Sequence, residues 1–392
     1  MTIKFLRNTA LFKIMVLSVM VLSVAIWQKL DIKTTLDAAL SNWDTENYKN
    51  IAYNGYILDS LSFPESIKLG AFYPGLAILF YICNILKLPA LIYFFNFFTY
   101  ILFSYIFYRF ISTKWNKGLQ NVDLNNFLFC SFCLFPFSAF LHFNYTEIYF
   151  LTGAIWALDL ILSKKIWKSQ IPAIIIGFFR PTALPFGFLA WLLYSIETFK
   201  NRINFNLKKY ILESFGFISY GIGTISLYIF DQLRYGNWKL FYDSQQFVYK
   251  KQSNLDFFNQ IASEVMGNVE MWYNKNDKYT DLISEFKFNF YDRDFNLAFL
   301  IWFPFVVAFI GSIVLIYQKK YYWVIFSWGL LIPTLLSNTV SFNRYLLTSF
   351  PLILAFNELF SRYKGSQYWL YMMYSIFFMI AIILFTHGFW VG

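Results

Sequence analysis

The residues able to do chemistry in this 392-residue chain are few and stand in short clusters. The first is Asn42-Trp43-Asp44, followed by Tyr48, Ile51-Ala52, Gly55-Tyr56 and then Ala71-Phe72-Tyr73-Pro74. The spacing predicts a short helix over 45–52 with Tyr48, Ile51 and Ala52 on one face. Asp44 stands at its start, where a carboxylate caps a helix. Beside an aromatic neighbour at a membrane surface, the same group could accept the proton of a hydroxyl attacking a lipid-linked donor. The second cluster is His142-Phe143-Asn144-Tyr145-Thr146-Glu147, at the end of an apolar run. A turn between helices uses a few polar groups, and a set this dense also suits a bound ligand. The third is Gly177-Phe178-Phe179-Arg180-Pro181-Thr182. An arginine between two apolar helices is a functional candidate by default, although its long stem also lets it reach the surface. Arg344, in Ser341-Phe342-Asn343-Arg344-Tyr345, has the same two readings. Either guanidinium could hold a phosphate through paired hydrogen bonds.

What is missing narrows the chemistry. The chain lacks HExxH, GxSxG, a Walker loop and a GxGxxG after a strand. With only His142 and His387 as histidines, zinc chemistry is not expected, and no metal or cofactor is. Cys130 and Cys133 have CxxC spacing but lie inside an apolar run, where packing is the favoured reading. Without an ATP-binding module, any group transfer must use a donor that is already activated.

The elements that position these clusters follow from composition. Apolar residues make up 58% of the chain, aromatic ones 23% and charged ones 14%, against about 25% charged in a soluble domain. That excludes a water-soluble enzyme and a disordered chain. Apolar residues recur in blocks of roughly twenty, the length that crosses a bilayer core. The expected fold is an all-α polytopic membrane protein, a single membrane domain over 1–392. Eleven spans are read at 10–29, 89–111, 125–143, 147–163, 171–181, 183–197, 209–230, 296–317, 321–338, 345–360 and 367–389. The first is too long for the apolar core of a signal peptide, about 7–15 residues. The fifth and sixth, parted by Pro181, read as a bent hairpin.

One block, 70–88, decides the topology. If it lies along the outer surface as an amphipathic helix, the short loops sort by charge. The cytoplasmic side then holds 17 basic residues, from Lys4, Arg7 and Lys13 through to Arg362 and Lys364, against 5 acidic ones. The outer side has 15 basic and 17 acidic residues. Positive-inside bias puts the N-terminus in the cytoplasm and the C-terminus outside. The net charge of +10 thus orients the chain against anionic lipid and does not indicate nucleic acid. Two outer segments, 30–88 and 231–295, are too long to be simple turns. The second carries ten acidic and eight basic residues, a composition that suits sugar binding and an ordinary folded cap equally.

Trp43-Asp44, Tyr48, Ile51-Ala52, Gly55-Tyr56 and Ala71-Phe72-Tyr73-Pro74 resemble the first outer loop of the phosphatidylinositol-glycan class V family. This family includes the second mannosyltransferase of GPI-anchor assembly and its bacterial relatives, within the GT-C superfamily. The resemblance continues, in order, at Phe135-Pro136-Phe137-Ser138, Tyr145-Thr146-Glu147 and Arg180-Pro181-Thr182. It ends at Tyr235-Gly236-Asn237-Trp238 with Gln245, and Arg344-Tyr345-Leu346-Leu347 before Phe350-Pro351. Ile148 stands where the family often has Ser, Thr45-Glu46 where it often has Gly, and Thr182-Ala183 where Asn-Gly or Thr-Gly is common. These departures bear on the acceptor and leave the reaction class intact.

The resemblance implies inverting transfer of a hexose, with mannose the expected sugar, from a polyprenyl- or dolichyl-phosphate sugar to a glycolipid or glycan outside the cytoplasm. It also implies the surface helix at 70–88. Such a displacement needs one base and stabilisation of the leaving phosphate. Asp44 is the expected base, a role worth about 10²–10⁴ in rate. Arg180 and Arg344 are the phosphate candidates, with His142 as a further donor. Glu147, Trp43, Tyr145 and Tyr73 are placed with acceptor binding or orientation, and Glu147 is the other candidate base. A polysaccharide polymerase or lipid-linked sugar flippase is the alternative. The compact length points to a bacterial plasma membrane over the endoplasmic reticulum.

Overall fold

A computed structural model describes residues 2–28, 32–41, 44–56, 69–115, 123–200, 205–249, 293–337, 342–361 and 364–386. Among them every regular element is helical. The chain divides into two compact units, residues 1–250 with 357–391, and residues 251–356 with Gly392.

The first unit opens with α1 (Thr2–Gln28), α2 (Ile32–Leu40), α3 (Asp44–Asn54) and α4 (Pro74–Ile85). Then come α5 (Leu91–Phe110), extended by a π turn over Ile111–Trp115, and α6 (Leu124–Leu128), extended by another over Phe129–Cys133. A 3-10 turn, Pro136–Leu141, leads into α7 (Thr146–Leu162), α8 (Ile166–Phe179) and α9 (Ala183–Lys200). After α10 (Leu207–Phe215) and a 3-10 turn, Gly216–Ile218, come α11 (Ser219–Tyr235) and α12 (Leu240–Tyr249). The second unit holds α13 (Arg293–Tyr317), α14 (Tyr321–Ser337), α15 (Phe342–Thr348) and the start of α16 (Phe350–Ser361). The chain then returns to the first unit with α17 (Lys364–Thr386).

Among the described residues, three helices are long and apolar enough to cross a membrane: Ile3–Ile26, Leu91–Trp115 and Gly365–Thr386. Several others are apolar and shorter. α4 has 12 residues, about 18 Å of helix, and falls short of a bilayer core of about 30 Å. The outward faces suit lipid. On α5, Phe94, Phe98, Leu102 and Tyr105 form one exposed stripe at helical spacing. On α17, Met372, Ile376, Ile380 and Ile383 do the same. In water such stripes would be an association hazard.

Three predicted spans are interrupted. Block 125–143 breaks where Phe135 is extended (φ −57°, ψ 129°) ahead of Pro136, because the residue before a proline is pushed out of the α region. Block 209–230 tightens into the 3-10 turn at Gly216, and block 345–360 parts at Ser349, ahead of Phe350-Pro351. The start of the second outer segment also differs, since α11 runs on to Tyr235.

The core of the first unit lies along the continuously buried stretch 135–155. α7 packs on α5 and α8, α8 on α11, and α17 on the 136–141 turn. α8 and α11 meet backbone to backbone. A Cβ at Gly223 would lie 2.1 Å from the Gly177 carbonyl carbon, an approach that only paired small residues allow.

Candidate functional site

The loop–helix clusters named from sequence converge within the first unit. α3 begins at Asp44, and its buried face carries Thr45, Tyr48 and Ile51. The hydroxyl Oγ1 of Thr45 donates to the Asn144 carbonyl at 3.0 Å. The Asp44 backbone N–H donates to the Tyr145 hydroxyl at 3.3 Å, and the Asn144 N–H donates to the Leu40 carbonyl at 3.2 Å. The first cluster is therefore docked on the second by two hydrogen bonds, with a third to Leu40 just ahead of it. Trp43 lies outside the described residues.

Glu147 is in the first turn of α7, with Tyr145 as the extended residue before it. Arg180 closes the C-terminus of α8 in an extended conformation (φ −152°, ψ 144°) ahead of Pro181. Its Nη1 donates to Glu147 Oε1 at 3.0 Å, and both side chains are almost fully buried, 4% and 0% exposed. A guanidinium presents five N–H donors in a planar fork, and the bond to Glu147 fixes how that fork is aimed. The loop motif 71–74 reaches the same place. A Cβ at Gly75 would lie 2.8 Å from the Phe178 carbonyl oxygen, so Tyr73-Pro74 rests against the segment that ends in Arg180. The Tyr73 hydroxyl donates to Thr224 Oγ1 on α11 at 3.3 Å.

α2 and α3 are tied by Lys49, whose Nζ donates to both Asp37 oxygens at 2.9 and 2.8 Å and to Glu46 Oε1 at 2.9 Å. The Tyr93 hydroxyl also donates to Asp37, at 3.0 Å. Partial burial alone would raise the Asp37 carboxyl, but these hydrogen bonds and the Lys49 charge outweigh it and hold it below the usual range.

His142 sits in a box of rings, with centroids of Phe12, Tyr100 and Phe378 at 5.8, 4.9 and 5.6 Å. It is 1% exposed, and neither ring nitrogen has a hydrogen-bond partner among the described residues. These surroundings are those of a packed side chain. Arg344 is buried in α15 of the second unit beside buried Asn343.

Two residues escaped the sequence reading. Lys13, counted there among the cytoplasmic charges, is fully buried in α1. Its ammonium donates to Asn96 Oδ1 at 2.7 Å and to the carbonyls of Leu141 and His142 at 3.2 and 3.3 Å, over the Tyr100 ring at 5.0 Å. Asn96 Nδ2 donates in turn to the Phe143 carbonyl at 2.7 Å. The turn that delivers Tyr145 and Glu147 is thus fixed from beneath by a cation. The second missed residue is Asp231 on α11, 1% exposed, whose Oδ1 has no hydrogen-bond partner among the described residues. Hydropathy ends the predicted span at 230, which left this carboxyl in a loop.

No family model matches this chain, and no curated protein or solved structure is similar to it.

Proposed function

We propose that the chain is an inverting glycosyltransferase of the membrane, moving a hexose from a polyprenyl-phosphate sugar to a glycolipid or glycan on the non-cytoplasmic face. The supporting observation is that the motifs around Asp44, Tyr73, Glu147 and Arg180, far apart in sequence, meet in one unit through hydrogen bonds and close packing. In this reading Asp44 takes the proton of the acceptor hydroxyl. That oxygen attacks the anomeric carbon, and the lipid phosphate leaves with the electrons of the broken C–O bond. The guanidinium of Arg180, aimed by Glu147, stabilises the leaving phosphate. Preorganised donors on developing charge contribute about 3–4 kcal/mol each. Arg344 and His142 remain further phosphate candidates on the strength of their motifs, His142 within its ring-lined surroundings. The eleven-span topology, the outer placement of 30–88 and a bacterial plasma membrane location belong to the same proposal.

The test uses purified protein, polyprenyl-phosphate mannose and a panel of glycolipid acceptors. Transfer should occur, and Asp44→Asn should lower it by about 10²–10⁴ with an unchanged thermal midpoint. Equal transfer by both proteins would move the base to Glu147. Neither transfer nor donor binding by the native protein would overturn the reading.

A further inference from the structure

Asp231 lies on one face of α11 with Thr224, Tyr228 and Tyr235, at helical spacings of four, three and four residues. Both ends of that face are bonded to the first outer loop, Thr224 accepting from Tyr73 at 3.3 Å and Tyr235 accepting from the Tyr56 N–H at 3.2 Å. The Asp231 carboxyl stands between those two ties. The phenols of Tyr56, Tyr73 and Tyr228 are its electrostatic neighbours. Next to Tyr228, with ring centroids 6.4 Å apart, Trp238 is exposed. Gly55 and Gly236 end α3 and α11 with φ of +83° and +69°, and nothing lies within 4 Å of where a Gly236 Cβ would be. A buried polar group without a partner is costly, so an oxygen kept in that state points to a ligand.

We propose that Asp231, flanked by Tyr56, Tyr73 and Tyr228 with Trp238 beside them, is a binding site for a hydroxyl group of a neutral sugar. The exposed Trp238 ring and the part-exposed Tyr228 beside it offer apolar faces with polar edges, the surface that a pyranose ring stacks against, and the carboxyl takes a hydroxyl. Burial raises the Asp231 carboxyl to about 7, so at mildly acid pH it is neutral and can donate as well as accept. The site faces the loop that carries Asp44, and it deepens the transferase reading by assigning acceptor recognition to α11. The binding itself stands without that reading.

The full-length protein in detergent would be titrated calorimetrically with methyl α-D-mannopyranoside and methyl α-D-glucopyranoside, neutral probes that carry no phosphate. Saturable binding of at least one is expected. Asp231→Leu should weaken it about tenfold or more without lowering the thermal midpoint. Asp231→Asn should retain binding and lose the change in affinity that the native protein shows between pH 6 and pH 8, the interval around the carboxyl's pKa of about 7. Absence of binding to either glycoside, or equal binding by Asp231→Leu, would overturn the proposal. Asp231-dependent binding in a protein that transfers no sugar would keep this site and discard the transferase reading.

Discussion

Two buried carboxyls of the first unit behave oppositely because one has a partner and one does not. Glu147 is held by Arg180. Removing one member of a buried pair strands the other and costs about 3–5 kcal/mol, whereas replacing both with apolar residues is often neutral. Glu147→Gln and Arg180→Met should therefore each lower the thermal midpoint sharply. Glu147→Leu combined with Arg180→Met should recover most of that loss while remaining inactive in transfer. Recovery of activity along with stability would show the pair to be structural only. Asp231 gives a pH signature instead. Burial lifts its carboxyl from 3.8 to about 7, so the folded chain keeps a proton that the unfolded chain has already lost. Stability contributed by the neutral form is complete below about pH 4 and declines until about pH 7. The phenols of Tyr56 and Tyr73, pushed above the ordinary range by burial first and by nearby charge, stay neutral through that interval. Asp231→Asn should match the native protein at pH 4 and exceed it increasingly towards pH 8. A pH-independent difference in midpoint would show that the carboxyl does not titrate in this way.

At the level of helices, α8, which ends in the arginine motif, crosses α11 backbone to backbone. A Cβ at Gly223 would fall 2.1 Å from backbone, while one at Gly177 would meet its nearest atom at 3.1 Å. Gly223→Ala should thus be the more damaging, by about 1–3 kcal/mol or more. Gly236→Ala meets only its own left-handed backbone, for about 1–2 kcal/mol. Thermal midpoints in micelles would check the order. Much of this level was legible beforehand. The 45–52 helix, the helical hairpin bent at Pro181 and the apolar segments 147–163 and 321–338 all stand in the structure within a few residues, because length, hydropathy and proline act locally. The breaks at Phe135, Gly216 and Ser349 were hidden, since an apolar run reads the same whether the helix continues or turns. Of the site, the clusters around Asp44, Glu147 and Arg180 were legible as residue types. Their joining was not, because Thr45 and Asn144 lie 99 residues apart and no local pattern encodes such a bond.

At the scale of the molecule, Lys13 is buried where acceptors from distant elements wait, and the sequence misplaced it for that reason. Counting loops by sign treats every lysine as solvated. This one lies midway along the 27 residues of α1, and Asp159 and Glu213 are likewise occupied, by Arg109 at 3.4 Å and by the Tyr194 hydroxyl. The Lys13 ammonium has a bearing on biogenesis. Its acceptors are supplied 83 and 128 residues later in the chain, so α1 leaves the ribosome with a charge that nothing yet satisfies. A lysine at the centre of a helix costs about 3 kcal/mol on insertion. The nascent first helix should therefore sit shallow or wait beside the translocation machinery until α5 and the 136–141 turn arrive. Glycosylation mapping of chains arrested at increasing lengths should show native α1 reaching its final depth only after the Leu141 and His142 carbonyls have emerged. Lys13→Leu should reach that depth in the shortest chains. One ammonium group then sets the order in which the membrane receives this protein.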